Sequence, residues 1–278
     1  MNRLGMNRIG IERLCVFGMP PVDFIRLAAA LGGAGVGIGF TPINAYNPHG
    51  YPDWSLRDDP ALRRETRAAL ADSGVAITLL EGFAVVPDKD VRDQERDLDL
   101  AAELGAERIN LVSMDRDRER TGAGFAVLTE MAAARGIKVS TEIGTGPLRT
   151  LDRVLAVLDA VAHPNLTLLI DTMHFFRFGS SLETLAGLPA ETIGYVQLCD
   201  VPLVSPFESY LDEAFHDRLV PGEGELPLAE LLALVPPDVV ISVEVPRRAA
   251  AQAGAGPAAR IAPCVDAARA MLASLAGR

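Results

Sequence analysis

The sequence predicts a closed (β/α)8 TIM barrel, and three observations carry that expectation. Apolar runs of strand length, bounded by turn residues, alternate with longer segments of helical period through eight rounds. A chain of 278 residues is the size that eight such units need. The first strand-to-helix turn, "FGMPPVDF", lacks the Gly-x-Gly-x-x-Gly pattern that an open dinucleotide-binding sheet would carry there. A single barrel domain over residues 1–278 is therefore expected.

The strands read in order as "IERLCVFG" from residue 11, "GVGIGF" from 35, "VAITLLEGF" from 75, "RINLVSMD" from 108, "KVSTEIG" from 138, "LTLLID" from 166, "IGYVQLCD" from 193 and "VVISVEVP" from 239. Between them lie amphipathic stretches such as "PVDFIRLAAALGG", "LRRETRAALADSG", "RDLDLAAELGA", "FAVLTEMAAARG", "LDRVLAVLDAVA" and "LAELLAL". Many of these end on Gly or a polar turn, as helix C-termini do. The Gly-rich "GGAGVGIG" at 32–39 precedes a strand, so it is read as a helix stop and not as a phosphate loop. "AARIAPCVDAARAMLASLAG" closes the chain as a helix. Long connections at 41–54 and 201–227 are expected to wall a site, and the Ala/Gly-rich "RRAAAQAGAGPAA" to be mobile.

Composition narrows the partner. A formal charge of -11 argues against nucleic acid and anionic membrane, both of which need a basic face, and leaves a small molecule. The 3 cysteines, Cys15, Cys199 and Cys264, form no C-x-x-C pair, so no disulfide framework or thiolate metal site is expected. With no signal-like or membrane-spanning apolar run, a cytoplasmic location is expected, and a homo-oligomer is compatible with it. The doubled "MNRxG" at Met1 and Met6 reads as an alternative start.

The strand ends carry the chemistry: Glu81, Asp115, Glu142, Asp171, Gln197 and Glu244. The last four close four consecutive strands. Alternation then puts Ser140, Leu169, Tyr195 and Ser242 two places deeper on the same face, the two serines suited to orienting ligands. Any one of these acids taken singly could cap a helix or pair with an Arg. Three carboxylates and an amide at one barrel mouth repel each other unless a cation sits among them, and an all-oxygen set suits Mg²⁺ or Mn²⁺.

The segments "STEIG", "LLIDTMH", "YVQLCD", "RLVPGEGELP" and "ISVEVP" resemble the sugar phosphate isomerase/epimerase superfamily of xylose-isomerase-like barrels. The resemblance runs from the fifth strand onward; the first half shares only the strand–helix rhythm. It implies Glu142, Asp171, Gln197 and Glu244 as metal ligands, with His174 and Arg218 as substrate contacts. Many sugar epimerases of this superfamily have His where Gln197 stands, whereas its 3-dehydroshikimate dehydratases have Gln. Endonuclease IV shares the barrel but needs more His ligands than the 4 here and a basic face.

Glu81 is a further candidate to line the pocket, with an Arg partner as the alternative, and His216 a further substrate contact. His49 and Trp54 either wall the site or pack a loop. His163 reads as a helix C-terminal cap, and Tyr195 and Cys199 as barrel core. In mechanism, Glu142 and Glu244 would exchange a proton with a carbon beside a metal-polarised carbonyl, while His174 and Arg218 steady the enolate oxygen. The first expectation is a divalent-metal-dependent isomerase or epimerase acting by enolisation of a small keto sugar or polyol. The alternatives are a 3-dehydroshikimate dehydratase-like lyase and a non-catalytic ligand-binding barrel. The first half offers no second Arg or Lys clearly placed to grip a carboxylate, which favours the isomerase, and no Gly-rich loop at strands seven and eight points to a phosphate.

Overall fold

The computed structural model describes residues 7–43 and 46–276, so Met1 and Met6 lie outside the described residues. Eight parallel strands close a barrel in chain order, β1 Ile9–Glu12, β2 Gly35–Gly39, β3 Ala76–Val85, β4 Arg108–Ser113, β5 Lys138–Glu142, β6 Leu166–Asp171, β7 Ile193–Leu198 and β8 Val240–Val243, with β8 pairing β1. The expected (β/α)8 barrel is the observed fold. Around it run α1 Pro21–Ala30, α2 Pro60–Ser73, α3 Glu95–Leu104, α4 Arg118–Ala133, α5 Leu151–Val161, α6 Thr172–Arg177, α7 Leu182–Ala186, α8 Tyr210–His216, α9 Leu228–Ala233, α10 Arg248–Gln252 and α11 Pro257–Ala276. No helix among the described residues is long and apolar enough to cross a membrane.

Local chemistry sets the helix ends. Asp59 caps α2 by accepting from the amides of Ala61 and Leu62, with Pro60 pre-set at the first helical position. Asp117 caps α4 through the Arg120 amide. Gly74 and Gly105 end α2 and α3 at φ 72° and 75°, a left-handed conformation that costs a side-chain-bearing residue more.

Several sequence expectations shift. β1 begins two residues earlier than its apolar run and stops at Glu12, while Arg13–Val16 form a 3-10 turn with Leu14, Cys15 and Val16 buried. β4 ends at Ser113, leaving Asp115 outside the strand, where it binds Arg120 at 2.7 Å. The segment at 247–259 is largely helical, forming α10 and the start of α11. Only the first glycines of "GGAGVGIG" stop a helix; Gly35, Gly37 and Gly39 belong to β2.

Those strand glycines open room inside the barrel. A Cβ at Gly37 would collide with the Glu12 carboxylate, and one at Gly39 with the Arg13 guanidinium. The bare faces of β2 thus admit two charged groups from β1 and the turn after it. Deeper in, Leu79, Leu169, Tyr195 and Val240 form a small buried apolar cluster separate from the larger core under the helices. The Tyr195 hydroxyl donates to Glu12 Oε1 at 2.8 Å and sits 3.0 Å from Thr78 Oγ1. Arg108 donates to Ser140 at 2.7 Å and to Thr167 at 2.8 Å. Ser140 is therefore tied to Arg108 and not to Glu142.

Gly37→Ala should lower stability by about 1–3 kcal/mol, because the new methyl must displace a buried carboxylate. Gly122→Ala, inside α4 with open space around the new methyl, should instead raise it by about 0.5–1 kcal/mol. Urea unfolding measures both; a Gly37→Ala protein as stable as the parent would contradict the packing described.

Candidate active site at the carboxyl end of the barrel

A cavity of about 550 Å³ opens where β1, β3, β4, β5, β6, β7 and β8 end, and its wall includes Glu81, Glu142, His174, Gln197, Arg218 and Glu244. Strand register delivers them. Asp171 pairs with Gln197 across β6 and β7, and Glu142 lies opposite Leu169 one level away. Asp171 does double duty as the N-cap of α6, its Oδ1 accepting from the His174 amide at 3.1 Å. That cap fixes His174 one helical turn above the carboxylate.

Arg218 is the electrostatic centre. It is buried, and Nη1 lies 2.7 Å from Asp171 Oδ2 and 3.0 Å from Glu244 Oε2, while Nε donates to the Ala214 carbonyl. It is held in place by the turn that follows it. Asp200 accepts from the amides of Val201, Gly222 and Leu226, fastening the Pro-Gly-Glu-Gly segment, and Asp200 and Leu219 exchange backbone hydrogen bonds. A Cβ at Gly224 would meet the Asp200 carboxylate, so this turn requires its glycine.

The protonation pattern follows from burial and from where the cations stand. Burial would raise the Asp171 carboxyl, but Arg218 and then His174 outweigh it and hold Asp171 well below the usual carboxylate range. Glu142 is pushed up to about 8 by burial and the Asp171 charge, although Asn110 donates to its Oε1 at 2.6 Å. Burial raises Glu244 well above its ordinary value despite Arg218. Burial lowers His174 to about 4, so its ring is neutral. Its Nε2 faces the ionised Asp171 Oδ2 at 3.6 Å, with Glu142 Oε2 at 4.0 Å, and the Asp171 charge favours the ring proton on Nε2. Nδ1 then accepts from the Tyr210 hydroxyl at 2.6 Å.

Among the described residues, two groups of donors lie close enough to share a cation: Glu142, Asp171 and His174, and Glu12, Glu81 and Glu244, each with its ligand atoms within 4.8 Å of one another. Gln197 donates to Glu244 Oε1 at 3.3 Å, which leaves its own amide oxygen for another partner. Five carboxylates thus face two arginines, Arg218 and Arg13. The residues fit a divalent cation: the donors are mostly oxygen, and the buried Glu142 and Glu244 carry too little positive charge nearby to stay ionised alone.

Four groups at this mouth have no counterpart in the sequence expectations. Glu12, fully buried, is pushed up to about 7 by burial and Glu81. Arg13 lines the cavity 3.5 Å from Glu81, so the first half of the chain does supply a second arginine. Asn110 and Tyr210 complete the set. A polar residue alternating with Arg108 inside the buried run "RINLVS" was the signal for Asn110; nothing marked Tyr210.

Other candidates lie elsewhere. His216 is outside the cavity wall, with its ring edge-on to Tyr46 and Nδ1 3.6 Å from Asp212. His49 sits 3.2 Å from Arg260 and Trp54 donates to the Gly18 carbonyl, both as loop packing. His163 sits two residues past the end of α5, accepts from the Asn165 amide and lies 3.3 Å from Glu130. Cys199 and Tyr195 are buried in the barrel.

Barrel and mouth together define a class: a (β/α)8 protein with a cation-competent carboxylate ring at the ends of its strands. The chain belongs to the Xylose isomerase-like TIM barrel family, whose profile matches residues 25–264. A 3-dehydroshikimate dehydratase of Pseudomonas putida is 27% identical over 184 residues, 61% of this chain and 29% of that protein. The inosose isomerase of Halalkalibacterium halodurans is 28% identical over 111 residues, 39% of this chain and 38% of that one. The chain spans about three tenths of the length of the dehydratase it matches. Among solved structures, the IOLI protein with a bound zinc atom aligns with a TM-score of 0.77 at 17% identity, covering 96% of this chain and 99% of that one, a likeness of fold.

Arg218→Met should cost about 3–5 kcal/mol in urea unfolding, because Asp171 would be left a buried charge without its partner and Glu244 without its donor. A loss under about 1 kcal/mol would show that Asp171 is not held as a buried ion pair with Arg218.

Proposed function

We propose that the protein is a divalent-metal-dependent lyase that removes water from a cyclic keto polyol, with 3-dehydroshikimate as the first substrate to test. The observation that carries this reading is Gln197, an amide where many epimerases of the superfamily have an imidazole, set between Asp171 and Glu244. The similarity to the dehydratase of Pseudomonas putida supports it and moves the balance away from the isomerase first expected from sequence.

Glu142, Asp171, Gln197 and Glu244 would hold the cation. When bound, it would polarise a substrate carbonyl and make the neighbouring C–H more acidic. Glu142 Oε2 and Glu244 come from separate strands and so offer a proton acceptor on either side of the substrate carbon. His174 Nε2–H faces the cavity and can hydrogen-bond the departing hydroxyl, which leaves as water with the proton that the accepting carboxylate took from carbon. Tyr210 keeps that tautomer, since its hydroxyl occupies Nδ1. Arg218 fixes two of the acids and acts on substrate through them. A substrate carboxylate would have to draw Arg13 from Glu81.

That competition is also what favours the second reading. With Arg13 on Glu81 and Arg218 on Asp171 and Glu244, a neutral keto polyol suits the wall, and an epimerase or isomerase would need the same first proton transfer.

Mn²⁺-loaded protein and 3-dehydroshikimate should give growing near-ultraviolet absorbance from an aromatic diol, lost with EDTA, and reduced on the order of 10² or more in His174→Ala. Solvent deuterium entering an inosose or keto sugar, with no absorbance change from 3-dehydroshikimate, would replace the lyase by the isomerase.

A further inference from the structure

Large apolar side chains exposed on a barrel surface are ordinary when scattered, but here they gather on one face. Among the described residues they are Met114, Leu203, Val204, Leu211 and Phe215, and all five follow β4 or β7 at the carboxyl end. Met114, Leu211 and Phe215, exposed by 63%, 48% and 36%, also line the cavity that holds Glu142, His174 and Glu244.

α8 explains how that wall is built. Tyr210, Leu211, Ala214 and Phe215 share one side of the helix by their spacing and all face the cavity. The opposite side is anchored: Glu213, buried, takes Arg177 at 2.7 and 3.0 Å, and Arg177 also donates to the Pro202 and Leu203 carbonyls. At its first residue the helix is pinned to His174 through Tyr210. The apolar side is thus held at a fixed height above the polar floor, and Met114 stands on the β4 side of the same opening. A ligand confined to the floor would leave these three side chains in water. The volume, about 550 Å³, is in the range that holds drug-sized ligands.

We propose that this rim is a second subsite, and that the substrate is a keto polyol carrying an aromatic substituent that lies against Met114, Leu211 and Phe215. Thioether–ring and ring–ring contacts favour a flat aromatic group there. The inference rests on the reading of the cavity floor as a keto-polyol site and names the larger molecule that the floor and rim fit together.

The test is binding, by calorimetry, of matched methyl and phenyl glycosides of several keto-hexoses, the ring ketone in place, to the Mn²⁺-loaded protein. At least one phenyl member should bind about tenfold or more tightly than its methyl partner. Leu211→Ser and Phe215→Ser, at positions 48% and 36% exposed, should each remove most of that advantage while melting at the parent's temperature. Equal binding within every pair, no binding by any phenyl member, or an advantage retained in both variants would overturn the subsite. So would a parent dimer in sedimentation that either variant dissociates, since a second copy of the chain would then cover the rim. Because the readout needs no turnover, a parent that dehydrates 3-dehydroshikimate yet binds both glycosides alike loses the subsite and keeps the reaction.

Discussion

The Arg218 guanidinium, buried between Asp171 and Glu244, is the interaction on which the rest of the mouth depends. Parallel strands that end at one level bring carboxylates from distant parts of the chain into one low-dielectric space. Repulsion among them would open the barrel or protonate them. One arginine satisfies two of the acids and lowers Asp171, while Glu142 and Glu244 stay raised. The site therefore has one settled ion pair and an unsatisfied need for positive charge beside it. That imbalance is the physical basis for a cation at this mouth.

Much of the surrounding structure serves to hold Arg218 where it is. Asp200 ties down the Pro-Gly-Glu-Gly turn, the Ala214 carbonyl receives Nε, and the Arg177–Glu213 pair fixes α8, from which the chain leads into Arg218. On the other side, Gly37 and Gly39 give up side chains so that Glu12 and Arg13 can enter. Glu12 sits beneath the cavity and Arg13 on its wall, so β1 extends the acidic ring to strands that the four-residue motif does not include. Buried polar groups are costly unless paired, and here one pairing links strands that are not neighbours, from Tyr195 on β7 to Glu12 on β1, and another links the adjacent β4 and β5, from Asn110 to Glu142.

How much of this was legible in the sequence depended on how local the determining physics is. β6 and the positions of Glu142, Asp171, Gln197 and Glu244 followed from apolar runs ending on polar residues, a local signal. β1 was misplaced because "RLCV" is as apolar as a strand but buries Leu14, Cys15 and Val16 from a 3-10 turn; hydrophobicity does not separate the two. That slip hid Glu12 at the strand end and Arg13 just past it. Tyr210 lies in a long connection with no periodic context, and its meeting with His174, 36 residues away, is a product of tertiary packing. The arginine pairs have the same origin: sequence names Arg218 and Asp171, but only the closed barrel sets them 2.7 Å apart.

The central claim is that the carboxylate ring exists to bind a divalent cation. The most direct measurement is anomalous diffraction from crystals soaked in Mn²⁺. A single strong peak should lie about 2.0–2.6 Å from oxygens of Glu142, Asp171, Gln197 and Glu244. No peak at saturating Mn²⁺, or a peak elsewhere in the barrel with those four side chains unmoved, would contradict the account.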